Sequence, residues 1–460
     1  MNRAALALGI GALASLLVAG ERRASACGGC FRPPTETASD ITDERMLLSV
    51  SPQQTTLYDQ IRYAGNPSSF AWVLPIHGTV DVGLSADVLF ASIDALTATQ
   101  IQSPASSCTV PQACQRTTPA YGAAANGGGD QVTITKQQNV GPYATVQLHT
   151  TDPMALNTWL ATNGFEIPAD VQPVLDAYVH EGFDFLAMKL LPDQSVQSMR
   201  PVRVTMPGAS LSLPLRMAAI GTGATVGITI WVVADGKYEP QNFPSFHIDD
   251  SQLVWDWSSS SSNYTALRQQ QEQAFDGKGW EMESSLALAQ DVISNVILNG
   301  GVYYGGGNRG GTPAPAAADY LPITNPDGTV AQTADQVRTA DLTTLFAGIA
   351  GSSVQVTRMR SDISHAAMTT DFILQASQDQ SEVSNIRHVS QSINEQCPVY
   401  GSDCSVVGNG TPAQAAASGP HGGGCSTSQS GQGQWPSDVA AIAGVLGFIA
   451  LRVKKVRRRR

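Results

Sequence analysis

The run Val226–Ala234 is apolar almost without a break and stops at the turn pair Asp235-Gly236. A stretch this short and this rich in β-branched residues suits a central strand of a sheet, not a helix. Other strand signals surround it. Met46–Val50, Thr56–Tyr63 and Phe70–Leu74 read as strands, and the turn cluster Gly65–Ser69 predicts that the last two form a hairpin. Further strands are expected at Gln131–Thr135, Tyr143–His149, Phe183–Leu191, Val354–Met359 and Thr370–Gln375.

Helices are fewer. Ser85 is placed to cap one running to Leu96. Asp152-Pro153 opens another, with Leu156, Trp159 and Leu160 as its buried stripe and Asn163-Gly164 as its stop. Val171, Val174, Leu175, Tyr178 and Val179 mark a third that ends at Gly182, and a fourth covers Ala334–Ala347. Strands and helices alternate irregularly, without an internal repeat. The expected fold is therefore α+β, with a mixed, mainly antiparallel sheet, hairpins and a few packed helices.

The two ends carry addresses. Residues 1–26 have a basic start, an apolar middle from Ala4 to Gly20 and small residues Ala24-Ser25-Ala26, the pattern of a secretory signal peptide. Residues 438–460 hold a short apolar run, Val439–Leu451, and a cluster of arginines and lysines. Between them the expected layout is a main α+β domain over 27–299, a Gly/Pro-rich loop or linker over 300–318, a C-terminal part of the folded region over 319–404, and a flexible stalk over 405–437. Signal and tail hold ten of the 27 basic residues but only two of the 38 acidic ones, so the region between them has a net charge of −19. Such a surface repels nucleic acid, and no nucleic-acid partner is expected.

Seven cysteines form three close pairs and a singleton: Cys27/Cys30, Cys108/Cys114, Cys397/Cys404 and Cys425. Export permits disulfides, and three local bridges are the simplest account, although six cysteines allow 15 pairings. Cys27-Gly28-Gly29-Cys30 has redox-site spacing but no preceding strand, which favours a structural bridge.

Chemical motifs are otherwise thin. His180-Glu181 lacks the second histidine of a zinc-protease helix, and Gly221–Gly227 misplaces the third glycine of a dinucleotide loop. Asp249-Asp250, and Asp40 with Asp43-Glu44, read as solvated acidic turns rather than calcium loops. Seven histidines show no metal spacing. No metal, cofactor or catalytic residue is expected. Trp255-Asp256-Trp257 is the one possible binding surface, an aromatic platform for sugar or peptide, against the plainer reading of two tryptophans on one apolar strand face.

Several blocks resemble one family. Cys27-Gly28-Gly29-Cys30-Phe31, Glu44-Arg45-Met46-Leu47, Gln60-Ile61-Arg62-Tyr63, Phe70–Pro75, the block Trp159-Leu160 to Lys189 and Thr357-Arg358-Met359-Arg360 look like the bacterial exported proteins grouped as domain of unknown function 2330. That resemblance implies no transferable activity. The tail is similar to a second pattern, the myxobacterial C-terminal sorting signal, in which a cysteine precedes an apolar span and arginines. Cys425, Val439–Leu451 and Arg457–Arg460 match it in order. The resemblance implies sorting or lipidation at Cys425, export and sorting machinery as partners, and a Gram-negative cell surface or outer membrane as destination, reached through the inner membrane.

These signals together point to an exported, surface-anchored binding or envelope-structural module that meets an envelope polymer or surface protein. The alternative is a secreted enzyme: a thiol oxidoreductase at Cys27/Cys30, or a hydrolase without a recognisable motif.

Overall fold

A computed structural model describes residues 30–31, 40–64, 71–108, 139–148, 153–162, 164–165, 171–191, 199–220, 222–298, 320–324 and 329–418. Cys27, Cys114, Cys425, the signal, the tail and the 300–318 stretch lie outside them. The chain divides into two units, residues 1–107 with 118–396, and residues 108–117 with 397–460.

The fold of the first unit is α+β, built on an eight-stranded sheet. Its strands run in the order Ser245–Phe246, Trp280–Ala289, Ser353–Ser364, Thr222–Ala234, Asp40–Val50, Gln54–Ala64, Val202–Pro207 and Asp81–Leu84. Thr222–Ala234 does lie in its middle. It runs parallel to Asp40–Val50 and antiparallel to Ser353–Ser364. Ser245–Phe246 is parallel to Trp280–Ala289, and every other neighbouring pair is antiparallel.

A second, wholly antiparallel sheet has the order Cys30–Phe31, Ala71–Ile76, Asp184–Leu190, Tyr143–Leu148 and Asn139–Val140. Strand alternation explains how the two sheets meet. Met46, Leu48, Leu57, Val202 and Val204 share one face of the large sheet and join a single core with Trp72, Leu74, Leu186 and Met188 of the second sheet. The opposite face of the second sheet, with Ala71, Val73, Phe185 and Ala187, packs on Leu160, Leu175 and Tyr178 of the helices Pro153–Thr162 and Gln172–His180. The opposite face of the large sheet receives the helices Asp87–Thr97 and Ala334–Leu345. There Trp231 Nε1 donates to Thr97 Oγ1 at 2.9 Å, and Ser49 Oγ to the Leu345 carbonyl at 2.7 Å. The layers are thus helix, sheet, sheet, helix.

Local chemistry sets the ends of these elements. Thr333 and Gln336 form a reciprocal cap on Ala334–Leu345: Gln336 N donates to Thr333 Oγ1 and Thr333 N to Gln336 Oε1. Gly182, at φ +82°, ends Gln172–His180 in the left-handed region. The expected Ser85 cap is corrected: Ala86 is the N-cap residue of Asp87–Thr97, with no side-chain cap, and Ser85 Oγ donates to Asp341 instead.

The expected hairpin about Gly65–Ser69 is also corrected. Gln54–Ala64 pairs with Asp40–Val50 across the turn Ser51-Pro52-Gln53, and Val202–Pro207 occupies its other edge. With both edges filled, the fully buried Ala71–Ile76 goes to the second sheet.

In the second unit, Cys397–Tyr400 and Val406–Gly410 form an antiparallel hairpin followed by the helix Pro412–Ala416, so regular structure continues past Cys404 into the expected stalk. The local bridges Cys108–Cys114 and Cys397–Cys404 are overturned. Cys108 bonds Cys397 across 289 positions, with their Cα atoms 5.2 Å apart, and Cys404 is also disulfide-bonded. Sequence proximity mattered less than where strand pairing carries the chain. Among the described residues no helix is long and apolar enough to cross a membrane.

Candidate functional site: an acidic cleft between two sheets

In-phase alternation also turns two acids inward. Met46 pairs with Asp59 and Glu44 with Ile61, so Glu44 and Asp59 are diagonal neighbours on the face turned toward the second sheet. Glu44 is 3% exposed and Asp59 5%. The reading of Asp43-Glu44 as a solvated turn is therefore corrected: both lie in a strand, Asp43 pairs with Arg45 at 3.0 Å, and Glu44 is interior.

Three adjacent cavities line the seam between the sheets. A mouth of about 60 Å³ has the apolar walls Leu57, Leu74, Phe183 and Met206, with His77, Ser212 and Asp371 also lining it. A middle space of about 20 Å³ holds Glu44 and Asp59 and shares Leu57, Leu74 and Pro214 with the mouth. A third space of about 40 Å³, at least as open as the mouth, shares Asp59 and Trp72 with the middle one and is also lined by Gln60, Asp87, Tyr143 and Arg200.

Polar groups in this seam are unevenly satisfied. Asp59 Oδ1 and Gln60 Oε1 are buried without a hydrogen-bond partner. Burial pushes the Asp59 carboxyl up to about 7. Arg200 does not neutralise it: its guanidinium donates to the carbonyls of Leu321 at 3.0 Å and Pro322 at 3.4 Å. Tyr143 and Arg200 lock each other in place, Tyr143 OH donating to the Arg200 carbonyl at 2.8 Å and Arg200 N to Tyr143 OH at 2.9 Å.

A carboxyl raised in this way binds its proton more tightly in the folded state. Its contribution to stability is full below its ordinary pKa near 4 and is lost as pH rises through about 7. Asp59→Asn is therefore expected to leave stability nearly unchanged at pH 4 and to raise it by about 2–3 kcal/mol at pH 8. Urea midpoints at the two pH values check this, and a gain independent of pH would refute it.

Other buried charge clusters are largely paired among themselves, although Arg203 Nε and Glu281 Oε2 are buried without a hydrogen-bond partner. Asp341 accepts from Arg203 at 2.6 Å, from Tyr320 OH at 3.0 Å and from Ser85. Arg358 joins Glu283 and Asp94 and lies 5.0 Å above the Trp231 ring. Arg216 clamps Glu181 and Asp371 and stacks on Tyr178 at 4.2 Å. Asp371 is thereby committed to Arg216 and to Tyr178 OH, although it lines the same mouth as His77 and Ser212.

The residues singled out by sequence take other places. Trp255 and Trp257 are both half-buried, with rings edge to face at 6.1 Å, and Trp255 packs beside Leu253 and Val389. Both indole Nε1 atoms are buried without a hydrogen-bond partner. His180 ends its helix beside the Asp176 carbonyl, and Asp249-Asp250 belongs to a short capped 3₁₀ turn. Cys108, Cys397 and Cys404 are in disulfides, while Cys27, Cys114 and Cys425 lie outside the described residues, as does the side chain of Cys30. The acids of the cleft were missed, although Glu44 is in phase with Met46 and Leu48, and Asp59 with Leu57 and Ile61.

No curated protein matches the chain. Among solved structures, the crystal structure of baculovirus P35 is similar at 9% identity with a TM-score of 0.28, over 74% of this chain and 97% of that one. A family model described as an uncharacterised protein conserved in bacteria, domain of unknown function 2330, matches residues 22–374. That span is more than three quarters of the sequence and includes both sheets of the cleft, so the chain belongs to the domain of unknown function 2330 family.

Proposed function

We propose that this protein is an exported, surface-anchored binding module whose ligand site is the cleft between its two sheets. The observation that carries the reading is the Asp59 carboxyl, 5% exposed, with a buried oxygen that no protein donor satisfies, at the junction of two cavities. Leaving such a group unpaired costs about 1–3 kcal/mol, a cost that a ligand donor would remove. The Cys108–Cys397 bridge supports export, because long-range structural disulfides persist in oxidising compartments. The signal-like residues 1–26 and the Cys425 tail supply the route and the anchor.

An acid–base enzyme is the second reading, since a buried carboxyl poised near neutrality is what such chemistry uses.

Two measurements test the proposal. Fractions of the cell envelope are screened for a rise in melting temperature of the full chain, and Ser212→Trp, at the exposed rim of the mouth, should abolish the rise. A rise that persists in the blocked variant, or none at all, removes the cleft as the site. Cys425→Ala should fold normally but remain uncleaved in the inner membrane; normal surface display of that variant would make the tail an ordinary anchor.

A further inference from the structure

The face of the large sheet turned away from the cleft carries a gap of its own. Asp43, Gly227 and Asp362 are direct neighbours on three adjacent strands, so all three belong to one face. It is the face of Thr229 and Trp231, where the helices pack, not the one turned to the second sheet. Glycine leaves the middle of this row without a side chain. A Cβ there would stand 3.3 Å from Asp43 Oδ1, 3.4 Å from Asp362 Oδ1 and 3.6 Å from Arg360 Nη2. Solvent reaches these groups: the side chains of Asp43, Asp362 and Arg360 are 22%, 24% and 29% exposed. The pairing of Thr222–Ala234 with Asp40–Val50 is also irregular between Thr222 and Gly227, which leaves Ala224 and Thr225 exposed beside the gap.

Each acid is held by one oxygen and offers the other. Asp43 Oδ2 accepts from Arg45 Nε at 3.0 Å. Asp362 Oδ2 accepts from Arg268 Nη2 at 2.6 Å, and Asp362 N donates to Glu272 Oε1 at 2.9 Å, both partners belonging to the helix Tyr264–Ala274. Among the described residues neither Oδ1 accepts a hydrogen bond. Arg360 Nη2 lies 3.5 Å from Asp362 Oδ1, too far for a good one, and Arg360 Nε is buried without a partner.

Two acceptors and one donor around a single position select the group that fits it. An ammonium gains little there, because the Arg360 guanidinium already brings positive charge. A carboxylate or phosphate would meet two carboxylate oxygens. A neutral hydroxyl suits all three neighbours: it accepts from Arg360 and donates to one acid. A second hydroxyl on the next carbon donates to the other acid, and bonds to charged partners of this kind are the stronger ones.

We propose that this face binds a saccharide through two vicinal hydroxyls seated over Gly227, with Asp43 and Asp362 accepting and Arg360 donating. The site lies on the opposite side of the sheet from the cleft and stands independently of it.

The test is titration calorimetry on the full chain in lipid nanodiscs, with the methyl glycosides of glucose, galactose and mannose as probes and permethylated glucoside, which has no hydroxyl to donate, as control. The expected result is saturable binding of at least one glycoside and none of the control. Gly227→Ala places a methyl group in the gap without removing a charge, and Gly227 lies in a strand without a positive φ, so the variant should fold. It should weaken binding by about tenfold or more, as should Asp43→Asn, which removes a charged acceptor. Melting temperatures near that of the parent show that each variant is folded, and Asp43→Asn carries the test if Gly227→Ala is not. If no glycoside binds, the gap takes water only and the proposal falls. It falls equally if the control binds as well as the glycosides, or if the folded variants bind like the parent. Ser212→Trp should leave this binding unchanged; a loss there with binding kept in Gly227→Ala would place the sugar in the cleft, overturning this site while sparing the cleft reading.

Discussion

Replacing both Cys108 and Cys397 with serine is expected to destabilise the protein by about 2–4 kcal/mol, seen as a large fall in the urea midpoint under oxidising conditions. The bridge closes a loop of 289 positions, and loop-closure entropy makes a long crosslink worth more than a short one. Two local bridges would each have closed fewer than ten residues and stabilised far less. The double variant leaves no stray thiol at either site and spares the disulfide at Cys404, so it isolates this one crosslink. A loss below about 1 kcal/mol would mean that the unfolded chain is already restrained in other ways.

Asp341→Ala is expected to cost about 4 kcal/mol. Asp341 is wholly buried and Arg203 is 6% exposed, so truncating the acid strands a guanidinium in a low-dielectric site. The variant also removes the acceptor for Ser85 and Tyr320, which tie the start of the Asp87–Thr97 helix and residue 320 to the Ala334–Leu345 helix. Close packing leaves no room to adjust: a Cβ at Gly83 would already come within 2.5 Å of Arg203 Nη2. The paired change Arg203→Met with Asp341→Leu should recover most of the loss, since it removes both charges together. Thermal unfolding of the three variants decides the matter. Equal losses for Asp341→Ala and the double variant would show that packing, not stranded charge, sets the cost.

The sequence made some of this architecture legible. Val226–Ala234 could be placed as a central strand because a continuous apolar run needs no knowledge of its partners. The helix at Ala334 was legible for the same reason, since its cap lies within four residues of chain. Pairing was harder. Gly65–Ser69 says that the chain reverses but not which strand it meets next, and competition for both edges of Gln54–Ala64 decided that. Cys108 and Cys397 were unreadable as partners, because nothing local in either reports the other. The cleft was half visible. Acids in phase with Met46, Leu48 and Leu57 could have been marked as inward-facing, but Glu44 and Asp59 look like surface residues until the second sheet is known to cover them. Arg200, Gln60 and Asp87 meet there through tertiary placement alone.

The position of Thr222–Ala234 has a consequence for the growing chain. One of its neighbours, Asp40–Val50, is made early, but the other, Ser353–Ser364, emerges more than a hundred residues later and also carries Trp280–Ala289. Until that strand arrives, the apolar run Ile228–Ala234 lies on an open edge, able to pair with another nascent chain. A break anywhere between Ala289 and Ser353 therefore does not yield a shorter version of the fold. It yields a sheet divided at its centre, with Trp231, Val232 and Val233 on an unprotected border.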